Sequence, residues 1–202
     1  TNTTGASNVA TGNGALYYNT TGSNNTALGL QALVNNTTAS NNTAVGYQAA
    51  YSNTTGSPTA FGRMALYSNS TGAQNTAVGL NALYSNTTGS DNTALGWKAG
   101  ESVSTGTQNV LIGSLAGDAL TVGNYNVAIG YSALTVEDSR GRATAVGYAA
   151  LQNQNADADS YNTALGFEAA KSITTGIRNT ILGANAGDAI TTADNNVAIG
   201  TN

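Results

Sequence analysis

Asn75-Thr76-Ala77-Val78-Gly79-Leu80-Asn81-Ala82-Leu83 decides the fold, because close copies of it return along the whole chain. The glycine that closes the motif recurs at Gly12, Gly29, Gly46, Gly62, Gly79, Gly96, Gly113, Gly130, Gly147, Gly166, Gly183 and Gly200. Nine of the eleven intervals are seventeen residues long, one is sixteen and one is nineteen. A fixed period this short marks an array in which each unit is one turn of a solenoid. The 202 residues therefore read as one repeat array, 1–202, with a possible subdivision. Coils in 1–95 are rich in Asn and Thr; those in 96–202 are more acidic and carry a 70-residue super-repeat, with Ala-Gly-Asp-Ala at 116–119 and 186–189.

Taking the motif glycine as position 0, position −4 is Asn in all coils but two, which have Pro58 and Ala143. Position −3 is Thr or Val throughout, and position −1 is apolar except at Thr11. Alternation with β-branched enrichment predicts one short strand per coil, ending at the glycine. Seventeen residues are too few for a strand, helical crossover and strand. The fold class expected is all-β, a parallel β-solenoid of about twelve coils. The −3 and −1 side chains are expected to point inward. The opposite face carries Asn, Ala and Gly apart from Pro58 at −4 and Leu111 and Ile181 at −2, which suggests close approach of another backbone and makes it the expected contact between chains. Ala followed by Leu, Ala or Gly at +3 and +4 predicts a second short strand or a bend. The glycines near +10, as in Thr20-Thr21-Gly22, are expected to supply a positive φ at a corner.

Composition narrows the chemistry. Leu, Ile, Val and Phe total 35 residues, about 17%, which implies a thin core assisted by backbone ladders. The net charge of −4 leaves no basic patch for nucleic acid or anionic lipid. Without Cys or His there are no disulfides, no thiolate or imidazole metal ligands and no Ser-His or Cys-His catalytic pair. None of the glycines opens a phosphate-cradling loop followed by Lys-Ser/Thr. No apolar run reaches the length of a membrane span. The chain begins at Thr1 with no visible signal peptide, which reads as a processed protein or an excised piece. The expectation is a non-enzyme with no catalytic residue, cofactor or metal.

The repeats resemble the YadA-like head of trimeric autotransporter adhesins, most clearly at Asn126-Val127-Ala128-Ile129-Gly130 and Asn196-Val197-Ala198-Ile199-Gly200. They are also similar to NTAVGYQAL-type arrays of phage tail-fibre-like proteins, at Asn42 to Ala49 and Asn75 to Leu83. The resemblance covers essentially the whole chain. It implies a left-handed parallel β-roll in which three chains share an axis and project from a cell or virion. The longer coil and the Thr-Thr-Gly turns depart from the adhesin heads, and no neck, stalk or anchor is recognisable.

Several residues remain as candidate sites. Gly29, Gly46, Gly79, Gly96, Gly113, Gly130, Gly166, Gly183 and Gly200 are structural repeat glycines. Tyr51, Tyr67 and Tyr84 fall at position +5 of consecutive coils and are possible glycan-contact aromatics, with ladder packing as the plainer reading. Position +1 adds Tyr47, Trp97, Tyr131, Tyr148 and Phe167. The Asn column is expected to satisfy its own and neighbouring amides. Asn-x-Ser/Thr sequons occur at Asn2, Asn19, Asn24, Asn35, Asn36, Asn41, Asn53, Asn69 and Asn86, although the repeat itself generates them. Asp118, Asp157, Asp159 and Asp188 read as surface charge rather than a cation site. The function expected is an extracellular structural or adhesive fibre segment at a cell surface or on a virion. Its partners would be copies of itself, as a homotrimer or filament, and a host-surface or glycan receptor. The alternatives are a self-assembling filament subunit and a tail-fibre carbohydrate-binding module.

Overall fold

The computed structural model describes residues 2–136 and 141–201. It contains twelve three-residue strands: β1 Val9–Thr11, β2 Thr26–Leu28, β3 Thr43–Val45, β4 Thr59–Phe61, β5 Thr76–Val78, β6 Thr93–Leu95, β7 Val110–Ile112, β8 Val127–Ile129, β9 Thr144–Val146, β10 Thr163–Leu165, β11 Thr180–Leu182 and β12 Val197–Ile199. They form one parallel sheet in sequence order. Each residue pairs with its counterpart one coil on, as in Thr76 with Thr93, Ala77 with Ala94 and Val78 with Leu95. The sixteen- and nineteen-residue coils keep that register, with Thr43 on Thr59 and Thr144 on Thr163. Their length differences are therefore absorbed outside the strands. The fold is an all-β parallel solenoid, and no helix occurs among the described residues.

Backbone pairing continues beyond the strands. Gln48 N–H donates to the Leu30 carbonyl at 2.9 Å, Leu33 N–H to Ala49 at 3.0 Å and Thr20 N–H to Thr37 at 2.8 Å. These bonds at +2, +4 and +8 join consecutive coils around most of the circuit, as expected when buried backbone groups must find partners. The segment after the glycine forms turns rather than a second strand, so of the two readings for +3 and +4 the bend is the one observed. Residues at +4, such as Leu33, Leu66 and Leu83, take φ values of 51–52°. That left-handed geometry costs roughly 1–2 kcal/mol for a side-chain-bearing residue. Here it aims a fully buried leucine into the coil, and burying a leucine contributes about 1.5–3 kcal/mol.

The strand faces are the reverse of the expectation from sequence. Ala at −2 is buried in β2 through β6, and Asn at −4 is buried beside it at Asn25, Asn42, Asn75 and Asn92. The −3 and −1 side chains point outward. The Asn/Ala/Gly face is thus the lining of the chain's own interior and not a contact between chains. The coil is narrow: once Leu at +4 and Ala at +3 enter from the opposite wall, only a small side chain fits at −2. Where −2 is large, +4 shrinks. Leu111 faces Gly117, whose added Cβ would lie 2.7 Å from Leu111 Cδ2, and Ile181 faces Gly187.

The glycines also divide differently from expectation. The motif glycines have φ of 126–144°, and a Cβ on Gly96 would lie 2.5 Å from the Gly113 carbonyl oxygen. Both conformation and close approach demand glycine there. The +10 glycines, including Gly22, Gly56 and Gly89, are absent from the positive-φ residues. Their requirement is space, because a Cβ would run into the carbonyl of the next coil.

Candidate interaction surface

Outward alternation brings four columns to one side of the solenoid: −5, −3, −1 and +1. Along −1 and +1 the exposed side chains include Leu28, Leu30, Tyr47, Phe61, Leu80, Leu95, Trp97, Tyr131, Tyr148, Leu165, Phe167 and Leu182, each between 37% and 52% exposed. An apolar strip thus runs from the second coil to the last. Apolar exposure that is contiguous over so many coils marks an interaction site, whereas single exposed leucines do not.

The strip has structured borders. In the +1 column Tyr131, Tyr148 and Phe167 stack with centroids 5.5 and 5.0 Å apart. Arg63 lies over the Tyr47 ring at 5.7 Å, and Lys98 lies over Trp97 at 5.2 Å. In the −5 column the Arg142 guanidinium sits between Tyr125 and Tyr161, at 5.2 and 5.7 Å from their centroids. Its other partner is the Asp159 carboxylate, supplied by the nineteen-residue coil. Except for Lys98 and Trp97, which are neighbours in sequence, the ring contacts follow from the period, because stacking successive coils brings like positions to about the strand spacing of 4.8 Å.

Tyr51, Tyr67 and Tyr84 form a separate ladder at +5. Their rings stack at 5.0 and 5.1 Å with interplanar angles of 13° and 7°. Partial burial, and then the flanking tyrosines, push the Tyr67 hydroxyl above its usual range. The faces of the inner ring are covered by its neighbours, so the ladder presents ring edges and hydroxyls to a ligand. Glu101 and Asp118 continue the same column. Lys98 Nζ is 3.0 Å from Glu101 Oε2, and Asn81 Nδ2 donates to Glu101 Oε1 at 3.0 Å. Burial, followed by a balance in which Glu101 adds to the rise, holds the Asp118 carboxyl above the ordinary carboxylate value. Asp157 and Asp159 lie on the nineteen-residue coil, and Asp188 accepts from Ser172 Oγ at 3.2 Å.

The asparagines are interior. At −4, Asn92 N–H donates to Asn75 Oδ1 at 3.0 Å, while Asn75 Nδ2 donates to the Gly89 carbonyl at 2.7 Å. A second amide ladder, which sequence reasoning missed, runs along +7. Asn36 Nδ2 donates to Asn19 Oδ1 at 2.9 Å, Asn53 to Asn36 at 3.1 Å, Asn69 to Asn53 at 3.1 Å and Asn86 to Asn69 at 2.8 Å. The recurrence of Asn seven residues after the glycine was the available signal. Five sequon asparagines, Asn19, Asn36, Asn53, Asn69 and Asn86, are therefore buried and engaged, whereas Asn24 and Asn41 are exposed. Two ladder oxygens lack partners, for visible reasons. Asn42 Oδ1 meets Pro58, which has no N–H, and Asn86 Oδ1 meets Val103, which has no amide.

No cluster of three or more acidic side chains capable of holding a metal ion occurs among the described residues. No helix among them is long and apolar enough to cross a membrane. Comparison with known proteins finds no family model, no curated protein and no solved structure that matches the chain.

Proposed function

We propose that this chain is a structural segment of an extracellular fibre, a rod that associates laterally with copies of itself and displays or spaces an adhesive surface. The apolar strip along −1 and +1 carries the reading. Its position replaces the Asn/Ala/Gly face as the contact between chains. The resemblance to trimeric adhesin heads favours three copies about an axis parallel to the rod. Twelve stacked coils with backbone bonds between neighbours suit a spacer under load, and the buried amides leave little polar chemistry for catalysis.

Light scattering on the purified chain tests this. A mass of three protomers at micromolar concentration is expected, and Leu28→Lys/Leu95→Lys/Leu165→Lys should yield a monomer with the far-UV spectrum of a β protein. A monomeric wild type with intact β structure would sink the reading.

A further inference from the structure

Two buried oxygens outside the asparagine ladders lack a hydrogen-bond partner among the described residues, Asn81 Oδ1 and Asp118 Oδ1, and they flank one contact. Lys98 Nζ lies 3.0 Å from Glu101 Oε2, and Asn81 Nδ2 donates to Glu101 Oε1 at 3.0 Å. An amine and a primary amide thus hang from the two oxygens of one carboxylate. The repeat itself does not demand this: Asn81 and Lys98 both stand at +2, on the fifth and sixth coils, where other coils carry Gln31, Gln48, Met64 or Leu115. The backbone holds the pair side by side. Both have left-handed φ, 58° and 56°, and Lys98 N–H donates to the carbonyl of Leu80, the neighbour of Asn81, at 2.9 Å. Side chains of like position and like backbone geometry leave the coils in the same direction, about 4.8 Å apart. The site is also sheltered. Lys98 lies over the Trp97 ring at 5.2 Å, its side chain and that of Glu101 are 33% and 24% exposed, and the Asn81 carbonyl oxygen is out of water.

We infer that Lys98 and Asn81 join spontaneously in an isopeptide bond between the fifth and sixth coils, with Glu101 as the catalytic proton carrier. Glu101 takes a proton from the Lys98 ammonium, and the freed Nζ lone pair attacks Asn81 Cγ. In the tetrahedral adduct the Glu101 carboxyl gives its proton to Nδ2 and recovers one from Nζ. The Cγ–Nδ2 bond breaks, ammonia leaves with the remaining proton as ammonium, and the carboxylate is restored. One C–N bond forms, one breaks, and no oxidant, reductant or co-reactant is consumed. A carboxylate in contact with both nucleophile and leaving group is placed for general acid–base catalysis. Holding amine and amide on one group replaces a bimolecular encounter, and keeping water from the amide keeps hydrolysis from competing. The bond falls where the rod most needs a staple. Between these two coils the amide filling at +7 gives way to the aliphatic one, and Asn86 Oδ1 meets Val103 without a donor. The reversed pair, Glu168 and Lys171, is a built-in control, because Ala149 stands where the first site has Asn81.

Mass spectrometry of the purified chain, unfolded after several days folded at neutral pH, tests this. The wild type should weigh one ammonia less than its sequence. Cleavage before aspartate, which first occurs at Asp91 and next at Asp118, should leave residues 1–90 and 91–117 joined. Glu101→Gln keeps the side-chain size and should fold with the same far-UV spectrum, yet show the full sequence mass and release the two peptides separately. Lys98→Arg and Asn81→Ala should do the same. A wild type of full sequence mass with the spectrum of a β protein overturns the inference. So does an ammonia loss confined to residues 1–90, such as a succinimide at Asn13-Gly14 would give. A link that survives Glu101→Gln overturns the role of Glu101. None of these outcomes depends on whether the chain self-associates.

Discussion

Coils that carry Asn19, Asn36, Asn53, Asn69 and Asn86 at +7 fill their interior differently from those that carry Val103, Leu120, Ile173 and Ile190 there. The first group runs a buried amide ladder and places Leu or Ala at +4 over Ala at −2. The second group has aliphatic side chains at +7, and two of its members move the large residue to −2, as Leu111 and Ile181, with glycine at +4. The backbone circuit is the same in both. A narrow solenoid therefore accepts either of two fillings provided the summed volume and the hydrogen bonds close within each coil. What it accepts poorly is the junction, where Asn86 Oδ1 is left buried without a donor.

The sharpest way to break the comparison is to put the second filling into the first group. Asn53→Val removes the donor to the Gly56 carbonyl and the better donor to Asn36 Oδ1, which keeps only Asn42 at 3.3 Å, and it takes from the Asn69 amide one of its two acceptors, the Gly72 carbonyl remaining. With an unsatisfied buried group costing about 1–3 kcal/mol and each weakened partner adding to it, a loss of about 2–4 kcal/mol is expected from urea unfolding. A loss below 1 kcal/mol would show that the amide ladder is not what holds these coils.

The volume exchange is the next largest effect. Gly117→Leu pushes a side chain into Leu111 and Leu120, and overpacking of this kind costs about 1–3 kcal/mol. Leu111→Ala alone opens a cavity at a cost of about 2–5 kcal/mol. The double variant recreates the Leu-over-Ala filling of the first group and should be more stable than the sum of the single losses predicts. A double-mutant cycle without favourable coupling would refute the exchange.

A smaller difference lies within the second group. Lys98 and Glu101 are replaced seventy residues later by Glu168 and Lys171, so the charge pair is reversed while Asp118 and Asp188 keep their places. Hydrogen bonding to Glu168 raises the Lys171 ammonium above its usual range. Asp118 is raised chiefly by burial, with Glu101 adding to it. A carboxyl raised on folding holds its proton more tightly in the folded state. Its stabilising contribution is full below the ordinary carboxylate value of 3.8 and is lost as pH rises through the higher folded value. Asp118→Asn should therefore raise Tm at pH 7, by about 2 °C or less given its exposure, and lose that advantage near pH 3. An equal gain at both pH values would rule out titration of Asp118 as the cause.

Much of this architecture was legible in the chain. The period, the strand ending at each glycine and the need for close approach at position 0 all follow from Asn-Thr-Ala-x-Gly. The inversion of the strand faces was not legible by hydrophobicity, because the outward −1 column is the more apolar one. Variation among the chain's own repeats points the other way. Position −1 ranges over Leu, Val, Phe, Ile and Thr, whereas −4 and −2 hardly depart from Asn and Ala. An interior column cannot change size without a compensating change across the coil, as Leu111 and Gly117 show, while an outward column can. The Tyr125–Arg142–Tyr161 border and the +7 ladder were equally hidden, since each becomes a feature only when like positions of successive coils are stacked.

Sequence alone determined that this chain winds as a parallel solenoid of short coils, because a seventeen-residue period with one three-residue strand leaves no room for another circuit. Only the tertiary structure decided which face is the interior. That choice depends on the volume available once both walls of a narrow coil are brought together, and no single segment carries that information.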